Sequence, residues 1–336
     1  MIREVIKMLI EGHSLTIEQA EKVMREIMDG EATPAQFGAF VTALRLKGET
    51  VDEIIGMVKV MRQKAVAVNV NGMVVDTCGT GGDAVGTFNI STAAAFVAAG
   101  VGLKVAKHGN RAMSSRCGSA DVLEALGIKI DLHAEDVRRC IEEVGIGFMY
   151  APLFHPAMKY AAAPRREIGI RTIFNHIGPL TNPAGATAQV VGVADGSAVE
   201  KIATALKDLG CQHALVVHGE NGLDEISING RTMIYELKEN KIRGYDVNPG
   251  DFGLNEASLD SIRGGTVTDN AAILRDVLAG EKGPRRDVVL MNTAAVVLVG
   301  DKASNLEEGI KLAEESIDSG MAMQKLEQLI FLSQAI

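Results

Sequence analysis

The hydrophobic pattern of this 336-residue chain changes near residue 70, and this change restricts the possible folds more than any other feature. In the first 65 residues, apolar side chains recur at helical spacing. One such series is Ile17, Ala20, Val23, Met24 and Ile27. From residue 73 onward, short apolar runs alternate with longer helical stretches. Because a chain of this length favours two domains, we expect a helical segment followed by an α/β domain.

Helix boundaries are well marked in the first segment. Thr16, Thr33 and Thr50 are each followed three residues later by Gln or Glu, which is the pattern of a capping box. Gly30 and Gly48 stand where C-terminal stops are expected. These signals predict a helical bundle with one apolar face that needs a partner.

The second segment reads as alternating strands and helices. Strands are predicted at residues 73–75, 103–106, 189–194, 214–217 and 288–290, with a further possible strand at 128–130. Helices are predicted from about residue 91, at 120–126 and at 135–144. This alternation is typical of an α/β domain with a largely parallel sheet. Residues 172–185 contain two prolines and two glycines, which indicates a crossing between domains or a surface loop.

Composition excludes several classes of protein. The net charge of −9 argues against a non-specific nucleic-acid binder, which usually carries a basic face. The four cysteines form no CxxC pair, and a reducing cytoplasm is the simplest interpretation. The N-terminal apolar run contains charges and lacks a cleavage site, so it is not predicted to be a signal peptide. Residues 84–103 carry no charge but are rich in alanine and polar residues, which favours a buried helix over a membrane span.

A glycine-rich turn is expected at residues 76–83, DTCGTGGD, between a strand and a helix. Three glycines in four positions let the backbone turn tightly and point its amides at a ligand. The spacing fits neither a Walker loop nor a dinucleotide fingerprint. A simple tight connection is the alternative interpretation.

Polar residues at the start of the next helix form a second candidate motif. Residues 87–92, TFNIST, offer amide and hydroxyl groups that could bind a phosphate at the helix N-terminus. They could equally be helix caps, and this motif alone favours caps.

The third motif, KHGNRAMSSRCGS at residues 107–119, is rich in cations and hydroxyls and contains no acidic residue. It follows a predicted parallel strand, at the end where open α/β sheets bind ligands. Its composition suits a polyphosphate, so we favour a binding loop over a solvated charged loop.

Two further features point to ligands of opposite charge. Asp224 and Glu225 could hold Mg²⁺, which proteins bind through one or two carboxylates together with substrate phosphates. Arg165 could pair with a carboxylate through its planar fork. An acidic surface turn and a surface arginine pair are the alternatives.

Taken together, these motifs resemble those of the anthranilate phosphoribosyltransferase family. The resemblance rests on residues 76–83, on 89–92, on 107–126 (KHGNRAMSSRCGSADVLEAL), on 154–183 (FHPAMKYAAAPRREIGIRTIFNHIGPLTNP) and on the Asp-Glu pair. It covers most of the chain. Ala112 and Arg116 stand where the family more often has serine and lysine. Arg116 keeps the charge, whereas Ala112 removes one hydroxyl.

The resemblance implies a particular fold. A small α-helical domain, residues 1–70 with a returning segment near 170–185, would join a larger α/β phosphoribosyl-binding domain, residues 71–336. The larger domain would have a mostly parallel central sheet of the nucleoside phosphorylase and phosphoribosyltransferase type. The protein would be a homodimer that pairs through its small domains. From composition we expect a cytoplasmic protein with no nucleic-acid or membrane partner.

The resemblance also implies an activity. The enzyme would transfer the phosphoribosyl group of phosphoribosyl pyrophosphate (PRPP) to the amine of anthranilate, with Mg²⁺, in tryptophan biosynthesis. The products would be N-(5-phosphoribosyl)anthranilate and pyrophosphate. The implied PRPP-binding residues are Gly79, Gly82, Asp83, Thr87, Asn89, Ile90, Ser91, Thr92, Lys107, Ser115 and Ser119. The implied anthranilate-binding residues are Gly79, His108, Asn110 and Arg165. The implied Mg²⁺ ligands are Ser91, Asp224 and Glu225.

The chemistry of this reaction predicts which groups are needed. Positive charge develops on the ribose as pyrophosphate leaves, so donors to the leaving group matter most. The aromatic amine is already neutral at pH 7, and positioning it should supply much of the rate. We therefore expect no residue to act as an indispensable general base.

Three alternatives remain at this point. A pyrimidine nucleoside phosphorylase would share the fold but use inorganic phosphate without a metal pair; Asp224, Glu225, Asn110 and Arg165 count against it. A relative that binds nucleic acid would need a basic face, which the net charge disfavours. A purely structural protein would not need polar residues clustered at strand ends.

Overall fold

The computed structural model describes residues 1–82, 85–112 and 116–336. Its first helices are α1 (Ile2–Ile10), α2 (Ile17–Met28), α3 (Pro34–Lys47) and α4 (Val51–Lys64). All three predicted capping boxes are confirmed at the starts of α2, α3 and α4. At the first, Thr16 Oγ1 accepts from the Gln19 amide at 3.2 Å, and Gln19 Oε1 accepts from the Thr16 amide at 2.9 Å. Reciprocal bonds of this kind satisfy amides that have no partner inside the helix.

A buried carboxylate ties the loops of the helical bundle together. Glu53 is fully buried and accepts from the amides of Leu15 at 2.9 Å and Thr50 at 2.8 Å. Lys47 Nζ lies 3.0 Å from the same carboxylate. A buried charge is tolerated only when it is paired and hydrogen-bonded, as Glu53 is.

The second half of the fold is built on one mixed sheet. In the described ranges it has seven strands in the order β3-β2-β1-β4-β5-β6-β7. The strands are β1 (Val75–Gly79), β2 (Val105–Gly109), β3 (Ile146–Tyr150), β4 (Ala188–Gly192), β5 (His213–Gly219), β6 (Thr232–Lys238) and β7 (Lys241–Val247). The strands β1 to β5 pair in parallel, and β6 and β7 add an antiparallel hairpin. The predicted fold class, a helical part plus a mostly parallel α/β part, is confirmed.

Helices cover the sheet and complete the fold. They are α5 (Ile90–Gly100), α6 (Ser119–Ala125), α7 (Ala134–Arg139), α8 (Ala151–Phe154), α9 (Lys159–Ile168), α10 (Ile173–Ile177), α11 (Val199–Asp208), α12 (Val267–Leu278), α13 (Pro284–Val299), α14 (Leu306–Asp318) and α15 (Met321–Ala335). The helix α7 continues as a π-helical turn over Cys140–Val144. As expected for residues 84–103, α5 is a buried helix inside the protein. No helix in the described part of the chain is long and apolar enough to cross a bilayer.

Two predicted strands are wrong. Residues 288–290 lie inside α13, which is buried on all sides, so its continuous apolar run gives no helical period. Residues 128–130 form no strand, although Ile128 and Ile130 are buried in the core. The strands β3, β6 and β7 were not predicted. The β6–β7 hairpin carries polar and half-exposed side chains, which weakens its strand pattern.

The segment at residues 172–185 is not a surface loop. It contains α10 and a 3₁₀ turn over Gly178–Thr181. Ile173, Phe174, Ile177 and Leu180 are buried in the same apolar cluster as the helices α1 to α4. The chain therefore returns to the helical bundle here before it enters β4.

Candidate active site

The order of the strands places a crevice between β1 and β4. The chain proceeds outward from β1 to β2 and β3, then resumes on the other side with β4 and β5. Open α/β sheets bind ligands at such a reversal, beyond the carboxyl ends of the strands. Gly79 and Gly192 are register partners at the ends of β1 and β4. The glycine-rich motif thus begins at the expected position.

Asp224 lies tightly against both of these glycines. A Cβ on Gly79 would be 2.1 Å from Asp224 Oδ2, and a Cβ on Gly192 would be 1.7 Å from the Asp224 carbonyl oxygen. The same Oδ2 accepts from the Gly81 amide at 2.7 Å. Glycine at both strand ends therefore allows the carboxylate to enter the crevice and hold the turn.

Lys107 is a buried cation beside this crevice. Only 3% of its surface is exposed. Its Nζ donates to the Thr77 carbonyl at 2.7 Å and to Ser91 Oγ at 3.3 Å. Burial lowers the pKa of Lys107, while the negative charges of Asp76 and Glu225 oppose that change. The lysine joins β1, β2 and the start of α5.

Asp76 supplies the compensating negative charge. It is fully buried; Oδ2 accepts from Asn182 Nδ2 at 2.7 Å, and Oδ1 accepts from the His108 amide at 3.4 Å. Burial raises the pKa of Asp76, and Lys107 and the hydrogen bond from Asn182 counteract this. Asn182 also donates to the Ala106 carbonyl at 2.8 Å, so it anchors the returning segment to β2.

The polar residues at the start of α5 do not behave as simple caps. Asn89 occupies the N-cap position, but within the described residues its side chain makes no capping bond and instead donates to the Cys117 carbonyl at 3.1 Å. Thr92 Oγ1 and Asn89 Oδ1 are buried with no hydrogen-bond partner among the residues described. Ile90 is 1% exposed, so its main chain rather than its side chain is placed to meet a ligand. The helix N-terminus adds a favourable field for an anion.

Asp121 holds the described residues on both sides of 113–115 in the cationic loop. Its Oδ2 accepts from the amides of Ala112 and Gly118, each at 2.9 Å. Ser119 begins α6, and its Oγ donates to the Asn110 carbonyl at 3.4 Å. Ser115 and Asp83, both predicted to bind PRPP, lie outside the described residues. Thr87 is described and pairs with Arg263 in an isolated antiparallel bridge.

Two neighbouring histidines form a buried, uncharged pair. The ring centroids of His108 and His155 are 5.0 Å apart. Burial lowers the pKa of His108 to about 3 and that of His155 to about 4. Both Nε2 atoms are buried, and neither has a hydrogen-bond partner in the part of the chain that the structure describes. The pair is neutral at pH 7 and leaves polar atoms for a ligand.

We expect these histidines to make the fold sensitive to acid. Their pKa values in the fold lie below the ordinary value of 6.5, so the unfolded chain binds more protons between about pH 4 and 6.5. The free energy of unfolding should fall as pH drops through this window, by up to about 1.4 kcal/mol per pH unit for each histidine. Urea unfolding between pH 7 and 4 measures the slope, which should be shallower in His155→Gln. Equal slopes in the two proteins would contradict the assignment.

Arg165 and Asn110 are the remaining predicted acceptor-binding residues. The Arg165 guanidinium carbon lies 5.2 Å from the ring centroid of Phe174, and burial lowers the pKa of this arginine. Asn110 is exposed immediately after β2. Arg165 is thus half-buried on the helical side, whereas Asn110 lies on the α/β side.

The predicted residues are partly brought together by direct contacts. Lys107 meets Ser91, and Asp224 meets the turn that begins at Gly79. Sequence reasoning assigned no role to Asn182, Gly192 or Arg171, which contact this region. Asn182 and Arg171 lie within residues 154–183, the segment that resembles the family. That resemblance is the sequence signal that could have identified them.

The residues present fit Mg²⁺ held jointly with a phosphate ligand. No group of three or more His, Cys, Asp or Glu side chains within the described ranges could hold a metal. Mg²⁺ needs no such cage, because it is commonly held by one or two carboxylates with substrate phosphates and water. Asp224 offers a carboxylate in a cradle that a Cβ on Gly79 would fill. Glu225 and Ser91 add further oxygen donors of the type that Mg²⁺ prefers.

Comparison with known families covers almost the whole chain. Residues 3–65 match the helical bundle domain of a glycosyl transferase family, and residues 71–323 match the a/b domain of that family. An anthranilate phosphoribosyltransferase from Dehalococcoides mccartyi is 57% identical over 100% of this chain and 99% of its own length. One from Chloroflexus aurantiacus is 58% identical over 99% of this chain and 98% of its own length.

Solved structures agree with the sequence comparison. Anthranilate phosphoribosyltransferase from Thermus thermophilus has a TM-score of 0.93 at 43% identity, covering 98% of this chain and 99% of that one. The Saccharomyces cerevisiae enzyme in complex with PRPP and Mg has a TM-score of 0.92 at 29% identity, covering 100% of this chain and 98% of that one. The same yeast enzyme in complex with 4-fluoroanthranilate has a TM-score of 0.90 at 29% identity, with the same coverage.

Proposed function

This chain belongs to the anthranilate phosphoribosyltransferase family, and we propose that it transfers the phosphoribosyl group of PRPP to the amine of anthranilate. The products would be N-(5-phosphoribosyl)anthranilate and pyrophosphate, and the step belongs to tryptophan biosynthesis. The observation that carries the proposal is the contact of the buried Lys107 with Ser91 at the start of α5, beside the crevice that Asp224 enters. This arrangement offers a cation, a hydroxyl and a helix N-terminus to one anionic ligand.

PRPP would lie over the carboxyl ends of β1 and β2. Gly79, Gly82 and Asp83 would line its site, together with the main chain of Ile90. Its phosphate groups would be held by Thr87, Asn89, Ser91 and Thr92, and Lys107, Ser115 and Ser119 would complete the anion-binding cradle. The buried oxygen of Thr92, which has no partner among the described residues, supports this placement. Lys107 would stabilise the negative charge that collects on the leaving pyrophosphate.

We propose Mg²⁺ as the metal, held by Asp224, Glu225 and Ser91. When bound, it would neutralise charge on the phosphate oxygens of PRPP. Asp224 has a second task in the structure, because its carboxylate also orders the Gly79–Gly82 turn through the Gly81 amide. The Asp224 side chain would therefore connect metal binding to the conformation of the Gly79–Gly82 turn.

Anthranilate would bind on the side of the crevice where the neutral His108 and His155 lie. Arg165 would pair with its carboxylate, and Asn110, Gly79 and His108 would contact the ring and amine. A histidine with a pKa of about 3 is a poor general base at pH 7. This supports a mechanism in which His108 orients the amine, and in which no side chain acts as an indispensable base.

The experiment that tests the function follows anthranilate fluorescence. We expect the fluorescence to decrease when PRPP is added with Mg²⁺, and to stay constant when EDTA replaces Mg²⁺. Loss of fluorescence on adding inorganic phosphate and a pyrimidine nucleoside is not expected; nucleoside cleavage by phosphate would instead support the phosphorylase alternative. An unchanged signal with both PRPP and Mg²⁺ present would overturn the proposal.

The domain division, assembly and location are also proposals. We place the helical domain at residues 1–70 with a returning segment near 170–185, and the α/β domain at 71–336; the buried contacts of α10 with the helical bundle support this.

Exposed apolar residues on the bundle, Ile10 at 73% and Leu46 at 83%, support a homodimer formed through the small domains. All four cysteines lie in the described ranges and are free thiols, which supports a reducing cytoplasm.

A further inference from the structure

An arginine from the returning segment contacts the glycine-rich turn. Arg171 Nη1 donates to the Gly82 carbonyl at 2.7 Å, across 89 residues of sequence. The side chain is only partly exposed, and its Nη2 is buried without a hydrogen-bond partner in the described ranges. A buried guanidinium nitrogen without a partner is costly, so this placement differs from that of a solvated surface arginine.

The turn at Gly82 is shaped to receive this side chain. Gly82 has a φ of +72°, in the region where side chains are strained. A Cβ on Gly82 would lie 2.2 Å from Arg171 Nη1. The neighbouring Gly81 is held from the other side by the Asp224 carboxylate at 2.7 Å. Two adjacent residues of the turn are therefore held by charged side chains: Gly81 by Asp224 and Gly82 by Arg171.

The backbone that carries Arg171 is itself anchored in the helical bundle. Gly169 ends α9 with a φ of +67°, and α10 begins two residues after Arg171. Ile173 and Phe174 of α10 are buried in the cluster formed by the helices α1 to α4. A shift of the bundle relative to the sheet would thus be transmitted to Gly82 through the guanidinium.

We propose that Arg171 is a positioning residue, which holds the glycine-rich turn in the conformation that accepts the pyrophosphate of PRPP and couples that turn to the helical bundle. The inference rests on the proposed function, since it assumes that the turn binds PRPP. Arg171 acts through Gly82. The arginine orders the main chain before substrate arrives, so less conformational freedom is lost on binding.

Substitution of Arg171 tests this role. We expect Arg171→Ala to raise the KM for PRPP by about 10- to 100-fold, because a hydrogen bond from a charged group is lost and a turn is released. The KM for anthranilate at saturating PRPP and the melting temperature should change much less. Arg171→Lys, which can still donate to one carbonyl, should restore part of the PRPP affinity. Arg166→Ala, an exposed arginine of α9, is the matched control and should behave as wild type.

A double-mutant cycle with Gly82→Ala separates positioning from a general loss of stability. The Cβ added at Gly82 collides with Arg171 Nη1, so each single variant should have a raised KM for PRPP. The KM of the double variant should rise by less than the product of the two single-variant increases, because the collision disappears with the arginine. Additive effects would overturn the proposal. Equal increases in the KM values for PRPP and anthranilate would also overturn it. A lower melting temperature with an unchanged KM for PRPP would do the same. A wild-type protein without PRPP-dependent turnover would overturn the proposed function as well, whereas an active wild type with an unaffected Arg171→Ala would overturn this inference alone.

Discussion

Replacing Lys107 by methionine is expected to reduce turnover about 100- to 1,000-fold, the range seen when one preorganised donor to a developing negative charge is removed. The same change should lower the free energy of unfolding by about 1–3 kcal/mol, because it removes the cation that offsets a buried negative charge. That charge belongs to Asp76, which is fully buried beside Lys107. Methionine keeps the apolar part of the lysine side chain up to the ε-carbon, so the effects report the lost ammonium group rather than a large cavity.

Three measurements check this expectation. Steady-state kinetics with PRPP and anthranilate give the loss of activity, and urea unfolding at pH 7 gives the loss of stability. The stability deficit should shrink as the pH falls toward 5, since burial without Lys107 raises the pKa of Asp76 further and protonation removes its charge. Lys104→Met is the matched control, because Lys104 Nζ donates to the Asn71 carbonyl at 2.8 Å at an exposed position. A loss of unfolding free energy that does not change with pH, or one equal to that of Lys104→Met, would contradict the proposed electrostatic coupling between Lys107 and Asp76.

Local signals in the sequence were sufficient for much of the fold. The Thr-to-Gln or Thr-to-Glu spacing at Thr16, Thr33 and Thr50 predicted three helix starts, because a capping box is formed within four residues. The boundary between helical and alternating patterns also needed only nearby residues. The wrong strand at residues 288–290 shows the limit of this approach. When every face of α13 is buried, apolar residues occupy every position and the helical period disappears.

The candidate site was predictable where its residues form motifs, and unpredictable where they meet across the fold. The glycine-rich motif begins inside β1 and the cationic motif begins inside β2, whereas the sequence places each directly after a predicted strand. Both motifs could nevertheless be placed at one edge of the sheet. The buried Asp76 carboxylate depends instead on a hydrogen bond from Asn182, 106 residues away. The contact between Arg171 and Gly82 likewise depends on where the returning segment enters the crevice. Such pairings are set by tertiary packing, which no local pattern records.

Gly192 illustrates the same limit and provides the second large prediction. It ends β4, and nothing in the surrounding sequence distinguishes it from any glycine at a strand end. A Cβ at this position would lie 1.7 Å from the Asp224 carbonyl oxygen and 2.4 Å from its carbonyl carbon. Main-chain atoms cannot rotate away as a flexible side chain can. We therefore expect Gly192→Ala to displace the backbone that carries the proposed metal ligands.

The expected result for Gly192→Ala is a loss of activity of about 100-fold, the effect of displacing a catalytic group by about 1 Å. Forcing an atom into a closely packed site should also lower the free energy of unfolding by about 1–3 kcal/mol. Steady-state turnover and urea unfolding measure the two effects. Gly250→Ala is the control, since a Cβ on Gly250 has no neighbouring atom within 4 Å among the described residues and its φ is not positive.

Gly79→Ala separates displacement of the Asp224 backbone from displacement of its carboxylate. The added Cβ would lie 2.1 Å from Oδ2 and 3.3 Å from the carbonyl oxygen, so it pushes chiefly on the side chain. This variant should need a higher Mg²⁺ concentration for half-maximal activity and should recover much of its turnover at saturating Mg²⁺. Gly192→Ala should recover little, because its main chain is misplaced at every metal concentration. If both variants recovered equally, the position of the Asp224 backbone would not limit the reaction, and the two glycines would serve the crevice only by keeping it open.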